Sequence, residues 1–116
     1  MNTETLRDYC LAKPGTTESF PFDEATLVFK VGNKIFALLD TESRPTTLNL
    51  KCDPERAVQL RETYESVQPG YHMNKVHWST ITVDGRVRSS DIQEWIDHSY
   101  ELVRKSLPKS VREQLM

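Results

Sequence analysis

The chain has 116 residues, 37% hydrophobic and 28% charged, with six prolines and four glycines. This is the length and make-up of one soluble globular domain and excludes a fibrous or disordered chain. The net charge of -2 argues against a general nucleic-acid binder, which needs a clustered excess of Lys and Arg to neutralise phosphates.

In chain order, Thr3 caps a first helix from Glu4 to about Lys13, with Leu6, Tyr9 and Cys10 on one face, and Pro14-Gly15 stops it. Residues 16 to 23 read as irregular because Pro21 blocks a ladder, and Phe20 and Phe22 are expected to lid one edge of the core. Leu27, Phe29 and Val31 then alternate with Thr26, Val28 and Lys30, and Gly32-Asn33 forms a two-residue turn into an apolar strand from Lys34 to Leu39. In that strand Ile35, Ala37 and Leu39 share one parity and Phe36 and Leu38 the other, so both its faces should be covered or its open one should carry an apolar patch.

Asp40 to Pro45 is a polar loop. A third strand runs from Thr46 to Cys52, with Leu48, Leu50 and Cys52 inward and Thr47, Asn49 and Lys51 outward. Asp53-Pro54 starts a second helix that runs to about Glu65, an N-cap followed by proline at the first helical position. Val67-Gln68 is a brief strand, and Ser79 to Val83 a further one, ending at Asp84-Gly85. Ser90 and Gln93 form a capping box for the last helix, whose buried face holds Ile92, Trp95, Ile96, Ser99, Val103 and Leu107. Ser99 on that face predicts a close approach of helix to sheet. Pro108 ends the helix, and residues 110 to 116 are one more turn or a tail.

This order predicts a two-layer α+β domain, an antiparallel sheet with helices on one side and a partly open second face. No apolar run approaches the roughly 18 residues of a membrane helix, and no signal peptide is apparent in residues 1 to 13. The cytoplasm is the expected compartment, with no membrane partner. Cys10 and Cys52 lie in apolar patterns without a CxxC and read as buried, reduced thiols.

Chemistry-bearing residues concentrate between Gly70 and Thr80, where Tyr71, His72, Asn74, Lys75, His77 and Trp78 stand together. Residues 68 to 88 are also the one net basic segment, with three cations (Lys75, Arg86, Arg88) against one carboxylate. His72 and His77 are five apart outside a helix with no nearby thiol or carboxylate, so no metal or other cofactor is expected. A histidine that holds the loop by backbone hydrogen bonds is the simpler role for either. His98 is expected to face solvent. Strand parity sets Trp78 with Thr80 and Thr82, opposite Ile81 and Val83, on the open face that Thr47, Asn49 and Lys51 should share; a bulge that turns the ring inward is the alternative. No nucleophile with an adjacent base and no carboxylate pair accompanies the segment, so an enzyme is not expected.

Tyr71-His72-Met73-Asn74-Lys75 followed by His77-Trp78, together with Pro14-Gly15, Phe20-Pro21-Phe22, Lys34-Ile35-Phe36-Ala37 and Ser99-Tyr100, resembles the MmcQ/YjbR family of small bacterial proteins. The resemblance spans nearly the whole chain. It implies an α-β3-α-β2-α two-layer fold, similar to secretion-chaperone-like and frataxin-like architectures, and a DNA-binding or regulatory role without catalytic residues. Asp23 stands where many relatives have glycine. Two functional classes follow, a weak, salt-sensitive DNA binder using Lys75, Arg86 and Arg88, and a protein or small-ligand binding domain using the open face around Trp78. A monomer is expected in either case.

Overall fold

A computed structural model describes residues 1–70 and 74–115. Among these, helix α1 (Thr3–Leu11) is followed by strands β1 (Thr16–Ser19), β2 (Thr26–Val31), β3 (Lys34–Asp40) and β4 (Thr46–Lys51). Then come α2 (Pro54–Thr63), β5 (Val67–Pro69), β6 (Trp78–Val83), α3 (Ser89–Lys105) and α4 (Lys109–Gln114). The strands form one antiparallel sheet in the order β1-β2-β3-β4-β6-β5.

The α+β class is as expected, with one strand more before α2 and a short fourth helix at the end. Residues 16 to 19 pair with Val28 to Val31 and are a strand, not an irregular stretch. Pro21 does not prevent this because it lies beyond β1, in the connection to β2. Phe20 and Phe22 do not lid the core either, being 50% and 65% exposed.

Local signals account for most element boundaries. Asn2, not Thr3, caps α1, accepting from the Thr5 N–H while the Thr5 hydroxyl accepts from the Asn2 N–H. Asp53 caps α2 with Pro54 at its first position, as the sequence predicts. The Ser90/Gln93 capping box does not form: the N-cap is Arg88, two residues earlier, with no side-chain cap. Gly32 and Asn33 both have positive φ, 55° and 68°, the two-residue turn that matches the twist of a hairpin.

The core lies between the sheet and α1 and α3, with Leu6, Phe29, Phe36, Leu48, Ile81, Ile92 and Ile96 at most 2% exposed. Trp95 is buried there, its ring edge-on to Tyr64 at 5.0 Å. The parity expected along β3 is interrupted. Phe29 pairs with Ala37 and Lys30 with Ile35, which leaves Phe36 as an extra residue opposite β2. This bulge turns Phe36 into the core beside Ala37 and Leu39, where it meets Tyr100 edge-on at 5.4 Å. Ile35 and Leu38 take the opposite face, so the apolar patch expected on the open side is made by these two.

Ser99 reinforces the bulge from the helix layer. On the other edge of β3, the ladder to β4 ends at Ala37 and Leu50, and the next rung would have joined Phe36 to Lys51. The fully buried Ser99 hydroxyl takes the place of that rung, donating to the Phe36 carbonyl at 2.6 Å and accepting from the Lys51 N–H at 2.9 Å. The close approach predicted from this serine is thus a bridge between α3, β3 and β4.

Candidate functional site

The face of the sheet away from the helices carries a polar row. Along β6 the alternation leaves Trp78, Thr80 and Thr82 partly exposed and buries Ser79, Ile81 and Val83. The ladder with β4 sets Lys51 opposite Trp78, Asn49 opposite Thr80 and Thr47 opposite Thr82. The two polar sets therefore share a face, and Thr80 Oγ1 donates to Asn49 Oδ1 at 2.5 Å.

Beside this row runs an open groove of about 850 Å³. It is lined by Thr26 of β2, Ile35, Leu38 and Asp40 of β3, Thr47 and Asn49 of β4, Thr80 of β6, and Gln68 and Pro69 of β5. Phe22 and Asp23, from the connection between β1 and β2, add to the lining. Asp23 is fixed by the loop it closes, accepting from the N–H groups of Ala25 and Thr26 at 2.9 and 2.6 Å. Those bonds, Thr26 first, hold its carboxyl below the usual aspartate range. Asp40 is fixed likewise, its Oδ1 accepting from Glu42 and Ser43 at 3.0 Å each.

The segment leading into β6 is held by its own polar groups. Asn74 Oδ1 accepts from the Val76 N–H and the Asn74 carbonyl from the Trp78 N–H, each at 2.9 Å. Lys75 Nζ donates to the Gly70 carbonyl at 2.9 Å. The carbonyl of His77, itself half-buried, accepts from Cys52 at 2.7 Å. Tyr71 and His72 lie outside the described residues. At Gly70 a Cβ would stand 2.8 Å from Trp78 Cβ and 2.9 Å from the Trp78 carbonyl oxygen, so only glycine fits that approach.

The organiser of this segment is a residue the sequence reading missed. Arg61, in the last turn of α2, donates through Nη2 to the carbonyls of Lys75 at 2.7 Å and Trp78 at 2.8 Å, and to Ser79 Oγ at 3.1 Å. Nothing in its helical context marks it, since an arginine near a helix C-terminus is what the dipole alone favours.

The remaining cations are differently placed. Arg86 Nε donates to both carboxylate oxygens of Asp84, at 3.0 and 2.9 Å, and Arg86 Nη1 lies 3.6 Å from Glu65. The hydrogen bond from Arg86 is the main cause of a lowered Asp84 carboxyl. Arg88 has an 88% exposed side chain, 3.9 Å from Asp91. Lys51 is half-buried, with its backbone N–H on Ser99. Both cysteines are buried, and burial pushes the Cys10 thiol up to about 12 and raises Cys52. Neither is a nucleophile at neutral pH.

A family model described as YjbR matches residues 11–102. The chain belongs to the YjbR family. It is 38% identical over its whole length to the Escherichia coli K12 protein YjbR, covering 98% of that protein. It is 29% identical to the Bacillus subtilis protein YyaQ, over 90% of this chain and 99% of that one. Among solved structures, the Deinococcus radiodurans protein DR2400, with a DUF419 domain, matches with a TM-score of 0.93 at 43% identity. That match covers 98% of this chain and 87% of the other.

One histidine of this YjbR chain is placed against expectation. His98 does not simply face solvent: it is half-buried, and its Nε2 accepts from the Asp53 N–H at 3.2 Å, at the start of α2. Burial first, then the charge of Arg56, lowers its pKa. The folded state therefore favours the neutral ring. The stability gained is complete above the unfolded value of about 6.5 and is lost as pH falls through the lower folded value. Urea melts at pH 7.5 and 5.5 should show a less stable protein at the lower pH, with the difference much reduced in His98→Gln.

Proposed function

We propose that this YjbR-family protein is a binding module and that its ligand lies in the groove on the open sheet face. The groove's size supports this, since about 850 Å³ lies within the roughly 300–1,000 Å³ typical of small-molecule sites. So does its lining, in which Ile35, Leu38, Phe22 and Pro69 offer apolar contact beside the amides and hydroxyls of Asn49, Gln68, Thr26, Thr47 and Thr80. Binding without chemistry is the better reading. The titratable groups among the described lining residues are Asp23 and Asp40, each tied to backbone N–H groups, with no nucleophile beside them.

The DNA-binding role implied by the family resemblance depends on Lys75, Arg86 and Arg88. Two of these are engaged within the chain, Lys75 on a carbonyl and Arg86 on Asp84, which favours the groove. Backbone-amide NMR during a fragment screen tests the choice. Shifts gathered on Thr47, Asn49, Gln68 and Thr80 are expected, and Asn49→Phe, which fills the groove, should abolish them. Shifts instead at Arg86 and Arg88 on adding a DNA duplex, with a log-log salt slope near -3 for about three phosphate contacts, would replace the groove reading by the DNA one.

A further inference from the structure

Resting on the groove reading, we infer that its ligand is a small organic cation, an amine or guanidinium carried on an apolar body. The charged side chains among the described residues lining the groove are Asp23 and Asp40, with no lysine or arginine. Among the described residues no ion pair within 4.0 Å forms with either carboxylate, although eight such pairs form elsewhere among them. The two carboxylates are also fixed before any ligand arrives. Each holds its position by two backbone N–H groups from its own turn, so binding need not order them.

The rest of the lining completes the match. Phe22 adjoins Asp23 in sequence, lines the same groove and leaves 65% of its surface exposed. An aromatic face beside a carboxylate attracts a cation through both its charge and its quadrupole. Leu38 and Ile35 supply contact for an apolar body, and Asn49 supplies polar contact further along. A phosphate or carboxylate ligand would instead face two negative charges with no cation in the described lining to balance them.

Three probes of one shape separate the charge from the shape: phenethylamine, 2-phenylethanol and phenylacetate, each titrated against the full chain and followed by amide shifts in the groove. The amine is expected to bind about tenfold more tightly than the alcohol at low salt, a preference that shrinks as salt screens the charge. Phenylacetate is expected to bind most weakly. Asp23→Asn combined with Asp40→Asn should bring the amine to the level of the alcohol while keeping the Oδ1 acceptors that hold both turns. An unchanged amide spectrum away from these two positions checks that the turns are kept. Equal or tighter binding of the neutral or anionic probe, with the shifts still in the groove, overturns the cation assignment and leaves the groove standing. Failure of all three probes to shift the groove amides up to their solubility limits overturns both.

Discussion

Ser99→Ala is expected to lower the unfolding free energy by about 2–4 kcal/mol, because one hydroxyl serves two buried backbone groups and each left unpaired costs about 1–3 kcal/mol. The Phe36 carbonyl and the Lys51 N–H would lose the bridge between them. Alanine leaves little empty volume, so the loss reports hydrogen bonding and not a cavity. A urea midpoint that falls with an unchanged m-value is the expected signature. A change below about 0.5 kcal/mol, the range of ordinary surface substitutions, would mean that β3 and β4 close the gap and form the missing rung directly.

Arg61→Ala is expected to cost about 2–3 kcal/mol, since hydrogen bonds from a charged donor contribute about 1.5–3 kcal/mol and this guanidinium reaches two carbonyls and a hydroxyl at once. Its second effect is local. Amide exchange should accelerate from Asn74 to Trp78 more than in β2 or β3, because α2 would no longer hold the segment's carbonyls. Arg61→Lys should recover only part of the loss, as a single ammonium cannot span the fork of a guanidinium. Equal acceleration across the sheet would show that the residue stabilises the whole fold without a particular hold on this segment.

The residues that made the fold legible are those whose signal is local. Asp53-Pro54 marked α2, Gly32-Asn33 marked the hairpin, and the alternation of β4 and β6 put Trp78, Thr80 and Thr82 on one face with Lys51, Asn49 and Thr47. What was not legible depends on pairing between distant segments. The bulge at Phe36 exists only relative to β2, so a count of parity along β3 assigns Phe36 and Ile35 to the wrong faces. Strand β1 draws its ladder from β2, and its own four residues carry no apolar alternation. The same holds for the candidate site. Its polar row followed from strand parity, whereas Phe22, Asp23, Asp40 and Gln68 join it from three different segments, and Arg61 acts from a helix turn with no pattern of its own.

The outer rim of β5 bears on how a partner can meet the sheet. Ser66 and Gly70 both bond towards β6, the one accepting from Thr82 and the other donating to Trp78, so alternation turns the backbone N–H and C=O positions of Val67 and Pro69 away from β6. The Val67 N–H is already taken by the Tyr64 carbonyl at 3.0 Å, and Pro69 has none to offer. This rim presents carbonyls without donors, and an incoming extended peptide could not zip onto it with the reciprocal bonds of a new strand. A partner would therefore meet this end of the sheet through its open face or its side chains, not by adding a strand to β5.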